Sequence, residues 1–291
     1  MMPEHGRRTA WRLGALPVML VAFLALLSSA GSVCADGAPL PPLGHEADVR
    51  MPGQKAILAY DAQTGREDLI LSIKLFGAPE AAWVVPAPAL PQVHVASAEW
   101  FTQLSDLTQP EIITHVEVVE VGSADDAGAV TTLEPVVDVI SREQVGVYDV
   151  SILSADDPRA LLDWLNEHGY AFPERGEPIL EAYVQEGGWH FVAARVLPDQ
   201  ADSLAGDVVP LWLSFETGRP VYPKRLTALV DQGLEVLLYV LADHRVELDG
   251  FEVEYAGELT LERVAAEDGE LADRLAGHAT YVTKLRAGHY D

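Results

Sequence analysis

Carboxylates are the most abundant chemically active groups in this chain, with 45 Asp and Glu against 19 Lys and Arg and nine histidines. Two acids facing each other across a cleft can act as proton donor and base in glycoside hydrolysis. Glu252 with Glu254 and Glu117 with Glu120 are close enough in sequence to raise that chemistry. In an alternating strand, however, Glu252 and Glu254 share one solvent-facing side, which explains them without catalysis. Asp125 and Asp126, in the loop Ser123 to Gly128, are ligand types for a hard cation. Their segment lacks the Asp-x-Asp-x-Asp-Gly spacing of a calcium loop and reads as a solvated turn. No histidine stands three or four residues from another, so no metal site and no cofactor are expected. His168 falls in the last turn of a helix, where a cation complements the dipole. A Gly-x-Ser-x-Gly elbow, a phosphate-cradling Gly-rich loop and His-Glu-x-x-His are all missing. No catalytic residue is assigned.

Aromatic and proline residues offer a second kind of chemistry. Trp83, Trp100, Trp164, Trp189 and Trp212 could stack on sugars or peptides. Each lies on the apolar side of its element or within an apolar run, which favours core filling. The run Ala81-Ala-Trp-Val-Val85 reads as a strand covered on both faces. Pro86 is expected to end its pairing, since proline has no N–H for a ladder. Pro86, Pro88 and Pro91 then form a stiff, polyproline-like arm. With Trp83, these prolines are the candidate binding residues; the simpler role is a rigid exit from the sheet.

The elements that must hold these residues follow from periodicity. Strands are expected over Lys55 to Tyr60, Leu69 to Phe76, Ile112 to Val121, Val136 to Ile140, Val145 to Leu153, Trp189 to Val196, Val208 to Phe215, Leu234 to Ala242, Phe251 to Tyr255 and Thr280 to Leu285. One helix follows Ser97 with Trp100, Phe101, Leu104 and Leu107 on one side. A better-marked helix has Asp157 as cap, Pro158 at its first position and Gly169 as stop, burying Leu161, Leu162, Trp164 and Leu165. A third starts near Pro178 with Ile179 and Tyr183 inward, and Leu259 to Leu275 reads as helical. Strands and helices come in blocks, which predicts an α+β fold: a mainly antiparallel or mixed sheet with three to four helices packed on it. A division into two lobes near Val145 is the alternative to a single domain.

Residues 1–35 carry the marks of a signal peptide. Arg7, Arg8 and Arg12 precede an apolar stretch from Leu13 to Leu27, and Val33-Cys34-Ala35 gives the small residues of a cleavage site. Residues 36–291 are then the mature domain; an uncleaved N-terminal membrane anchor is the alternative. Cleavage after Ala35 removes Cys34, the one cysteine, and with it disulfides, thiolate metal sites and a cysteine nucleophile. The formal charge of −26 repels phosphate backbones and anionic lipid headgroups, so neither nucleic acid nor peripheral membrane binding is expected. The acids are spread along the chain, as in a strongly hydrated surface; adaptation to high salt or to cationic partners would look alike.

Several motifs, in order, resemble a family of exported bacterial proteins known as domain of unknown function 2330. They are Ala82-Trp-Val-Val-Pro-Ala-Pro88 with Pro91, Val145-Gly-Val-Tyr-Asp-Val150, Leu161-Leu-Asp-Trp-Leu-Asn-Glu-His-Gly-Tyr170, Gly188-Trp-His-Phe-Val-Ala193 and Val221-Tyr-Pro-Lys-Arg-Leu-Thr227. The resemblance implies an extracytoplasmic location and brings no catalytic residue. The expectation is a secreted or periplasmic module that binds or scaffolds a protein or polymer of the envelope. A carboxylate-dependent hydrolase of an envelope polymer is the alternative.

Overall fold

The computed structural model describes residues 38–40, 50–76, 82–109, 137–197, 206–230, 234–259, 271 and 279–288. Two sheets organise them. The first is ordered β1 (Ala38–Leu40), β4 (Ala82–Ala87), β8 (His190–Val196), β7 (Tyr148–Ala155) and β6 (Val137–Val145). The second runs β12 (Glu252–Glu258), β13 (Tyr281–Ala287), β11 (Glu235–Ala242), β2 (Arg50–Asp61), β3 (Arg66–Phe76), β10 (Leu211–Glu216) and β5 (Gln92–Val95), with β9 (Gly206–Asp207) also on β3. All pairs are antiparallel except β11 with β2. The fold is α+β with mixed and antiparallel sheets, as the block pattern predicts. Each sheet draws strands from both sides of residue 145.

Alternation along the strands sorts the apolar residues into three layers. Trp83, Val85, Tyr148, Val150 and Val192 of the first sheet meet Leu58, Leu69, Leu71, Leu213 and Leu238 of the second in a central core. The first sheet turns Val84, Leu153 and Phe191 outward onto α2 (Pro158–Glu167) and α3 (Glu177–Glu186), through Leu161, Leu162, Leu165, Leu180 and Tyr183. The second turns Ile57, Ile70, Trp212 and Tyr239 onto α1 (Glu99–Leu107), through Trp100, Phe101, Leu104 and Leu107. Strands β4, β7, β8, β10 and β11 are thus covered on both faces along most of their length, whereas β5, β6 and β12 stay largely exposed or half-buried. Tyr148 ties the two sheets by donating its hydroxyl to the Val209 carbonyl, and burial pushes its phenol above the ordinary range.

Local signals are realised in several places. Asp157 accepts the Ala160 N–H at 2.7 Å as the cap of α2, with Pro158 in the first turn. Ser97, expected as the cap of α1, accepts the Glu99 N–H at 3.2 Å from one residue further out, since the residue flanking the helix is Ala98, which makes no side-chain cap. Other expectations need correction. Pro86 does not end the pairing of β4, which continues through Pro86 opposite Phe191 and Ala87 opposite His190. Among the described residues, β1 pairs Ala82 to Val84 on the other side of β4, and the ladder to β8 is kept through Pro86 although proline brings no N–H to it. Val145 to Leu153 is not one strand: Gly146 and Val147 form a two-residue turn between β6 and β7. The strand β5 carries too short an alternating pattern to be read from sequence. Ile112 to Val121 and most of Leu259 to Leu275 lie outside the described residues. Among the described residues, no helix is long and apolar enough to cross a membrane.

Gly146 closes that hairpin at φ 57°, and a Cβ there would stand 2.6 Å from Val95 Cγ1 on β5. Left-handed backbone strains any L side chain, and this one also crowds a neighbouring strand. Gly146→Ala is therefore expected to lower stability by about 1–3 kcal/mol in chemical denaturation. Gly218→Ala, with nothing within 4 Å, should stay within about 0.5 kcal/mol of the parent.

Candidate functional site

The α1 side of the second sheet changes character along its strands. Register sets Ile70 and His94 on either side of Trp212, Asp68 and Gln92 on either side of Ser214, and Arg66 opposite Glu216. Alternate residues of a strand share a face, so these side chains form one strip, apolar beneath α1 and polar beyond it.

Trp212 marks the transition. Only 5% of it is exposed, and its ring meets Trp100 of α1 edge-on at 5.9 Å and His94 at 5.4 Å between centroids. Its indole N–H donates to Asp68 Oδ1 at 2.8 Å. The same oxygen accepts Arg66 Nη2 at 3.0 Å, while Arg66 Nε donates to Ser214 Oγ at 3.1 Å. A carboxylate taken out of water must be paired. Here a guanidinium and an indole pair it, and in return Asp68 fixes the positions of both.

Two concavities flank the His94–Trp212 pair. The larger, about 550 Å³, is lined by Arg66, Leu90, Gln92, His94, Trp212, Ser214 and Glu216. The smaller, about 320 Å³, uses the same two rings with Ser97, Trp100 and Val145. The larger falls in the size range of sites for small organic ligands, about 300–1,000 Å³. It combines an aromatic wall with guanidinium, amide, imidazole, hydroxyl and carboxylate groups, which suits orientation of a ligand by hydrogen bonds.

The residues singled out from sequence are placed differently. Trp83 is 2% exposed in the central core, with its ring 6.3 Å from that of Tyr148. Pro86 and Pro91 are buried and Pro88 is half-buried. Residues 88–91 carry the chain from the first sheet to the second, and the side chain they expose is Leu90, at 51%, on the lip of the cleft. Trp83 and the prolines therefore do not converge on one surface. Glu252 and Glu254 are both exposed on β12, and Glu254 is engaged by Arg286 and by Lys284 at 3.3 Å. His168 stacks on Trp164 at 3.9 Å and donates Nδ1–H to the Trp164 carbonyl at 2.8 Å, at the end of α2. Glu117, Glu120, Asp125 and Asp126 lie outside the described residues. Among the described residues, no group of three or more His, Cys, Asp or Glu is placed to hold a metal.

Sequence reading did not assign Arg66, Asp68, Gln92, His94, Ser214 or Glu216. One signal was present: Leu211-Trp-Leu-Ser-Phe-Glu216 alternates apolar residues with Trp, Ser and Glu, so its second face turns polar toward one end.

A family model described as an uncharacterized protein conserved in bacteria, DUF2330, matches residues 32–291. No curated protein and no solved structure matches the chain.

If Asp68 positions the cleft wall, Asp68→Ala leaves the buried Trp212 N–H without its acceptor and should cost about 1–3 kcal/mol. Asp68→Asn, which keeps an acceptor for the indole, should lose less. Denaturation followed by tryptophan emission reads both; equal stability of the Ala variant and the parent contradicts the assignment.

Proposed function

This chain belongs to DUF2330, a family of uncharacterized proteins conserved in bacteria, and we propose that it is an exported, non-catalytic module that binds a component of the cell envelope. The observation that carries the proposal is the strip on the second sheet, where the cover of α1 ends at Trp212 and polar side chains line an open cleft. Binding sites pair an aromatic or apolar wall with a few convergent polar groups, and this cleft does so on a rigid sheet. Export rests on the leader-like segment 1–35. The charge of −26 argues against nucleic acid and anionic membrane as ligands.

Hydrolysis of the same polymer is the less favoured reading. A glycosidase sets two carboxyl groups across the scissile bond. Among the described residues lining the cleft, Glu216 is the one carboxylate, while Asp68 lies beneath the lining and is engaged by Arg66 and Trp212.

Sedimentation of the purified protein with isolated cell-wall sacculi tests the proposal. The protein is expected in the pellet, with no time-dependent release of soluble fragments, and the double variant Gln92→Ala/His94→Ala should lower the bound fraction at least tenfold. Released fragments would establish the hydrolase instead, and binding unchanged in the double variant would remove the cleft from the account.

A further inference from the structure

Resting on that binding reading, we propose that the cleft takes an uncharged oligosaccharide. Charge balance comes first. Arg66 is paired with Asp68 at 3.0 Å and stands opposite Glu216 in the strand register. A cationic ligand meets the guanidinium, and an anionic one meets Glu216 as well as the field of a chain carrying −26. The remaining polar lining, Gln92, His94 and Ser214, supplies donors and acceptors together.

Shape gives the second support. Trp212 is nearly enclosed, so the cleft has no broad apolar floor for a purely apolar ligand. Its apolar surface is broken up among Ala89, exposed Leu90, Phe215 and the rings of His94 and Trp212, and Gln92, Ser214 and Arg66 line the same cleft. A sugar ring matches that division, with C–H faces for the apolar contacts and hydroxyls at its rim for the amide, imidazole and hydroxyl groups.

An extended peptide adding to the sheet edge is the competing neutral ligand, and the edge is poorly built for it. β5 has four residues, follows directly on buried Pro91, and has the Gly146 turn packed against Val95. Short edges next to proline discourage strand addition.

The test is direct calorimetric titration of the full chain with three sets of probes. The first is neutral oligosaccharides (tetramers of N-acetylglucosamine, cellotetraose and maltotetraose), the second tetragalacturonate, and the third a set of uncharged dodecapeptides. Binding to at least one neutral oligosaccharide is expected, weakened at least tenfold by Gln92→Ala and by Ser214→Ala, both of which should retain the parent's circular dichroism. Binding of tetragalacturonate alone, or of peptides alone, overturns the saccharide assignment; if that binding is lost in Gln92→Ala, the cleft itself stands. Silence of all three sets overturns the saccharide assignment and the small-ligand cleft together. Saccharide binding that ignores both substitutions overturns the assignment to this cleft.

Discussion

Burial of both faces of the central strands in both sheets is the constraint from which the rest of this structure follows. A chain with a single cysteine forms no internal disulfide, so its packing has to oppose the entropy of ordering. Two sheets packed face to face share one core, but each then has an outer face to cover. Here α2 and α3 cover one and α1 covers the other, giving helix, sheet, sheet and helix layers. β4 shows the consequence at residue level: every position from Ala82 to Ala87 is buried, with Trp83 and Val85 facing the second sheet and Val84 facing the helices.

The motifs that carry the family resemblance are explained by the same constraint. The segment Val221 to Thr227 lies between β10 and β11 and is fastened to elements on both sides. Val221 N–H donates to Glu67 Oε2 on β3 at 2.7 Å, and Arg225 N–H donates to the Tyr183 hydroxyl on α3 at 3.2 Å. Leu226 meanwhile enters the helix-side core of the first sheet. In Leu161 to Tyr170, the leucines seat α2, Gly169 reverses the chain at φ 81°, and the Tyr170 ring carries Arg195 at 4.6 Å. Gly188 to Ala193 leads α3 into β8, where Phe191 and Ala193 face the helices. These residues hold the layers together; none of them is among the residues lining the larger cleft.

Much of the fold was legible because the signals are local. The cap and stop of α2, the stripe of α1 and the doubly covered β4 each depend on neighbours in sequence. Pro86 was misread because pairing decides whether a proline ends a strand, and its partner on β8, Phe191, lies more than a hundred residues downstream. The cleft was illegible for a related reason. Asp68 and Trp212 are 144 residues apart and meet only through the β3–β10 register. In sequence, Asp68 is merely the acid before an apolar strand, and Trp212 reads as core, which most of its surface is.

In the proposed binding role, function lies where the covering of the second sheet stops, and the other tryptophans serve packing. Fluorine NMR of protein labelled with 5-fluorotryptophan tests this most directly, titrated with solubilised envelope polysaccharide. The Trp212 resonance, assigned by Trp212→Phe, should move with added polysaccharide while that of Trp83 stays fixed. Movement of Trp164 or Trp189 with Trp212 unchanged would place binding on the opposite, helical side and contradict the account.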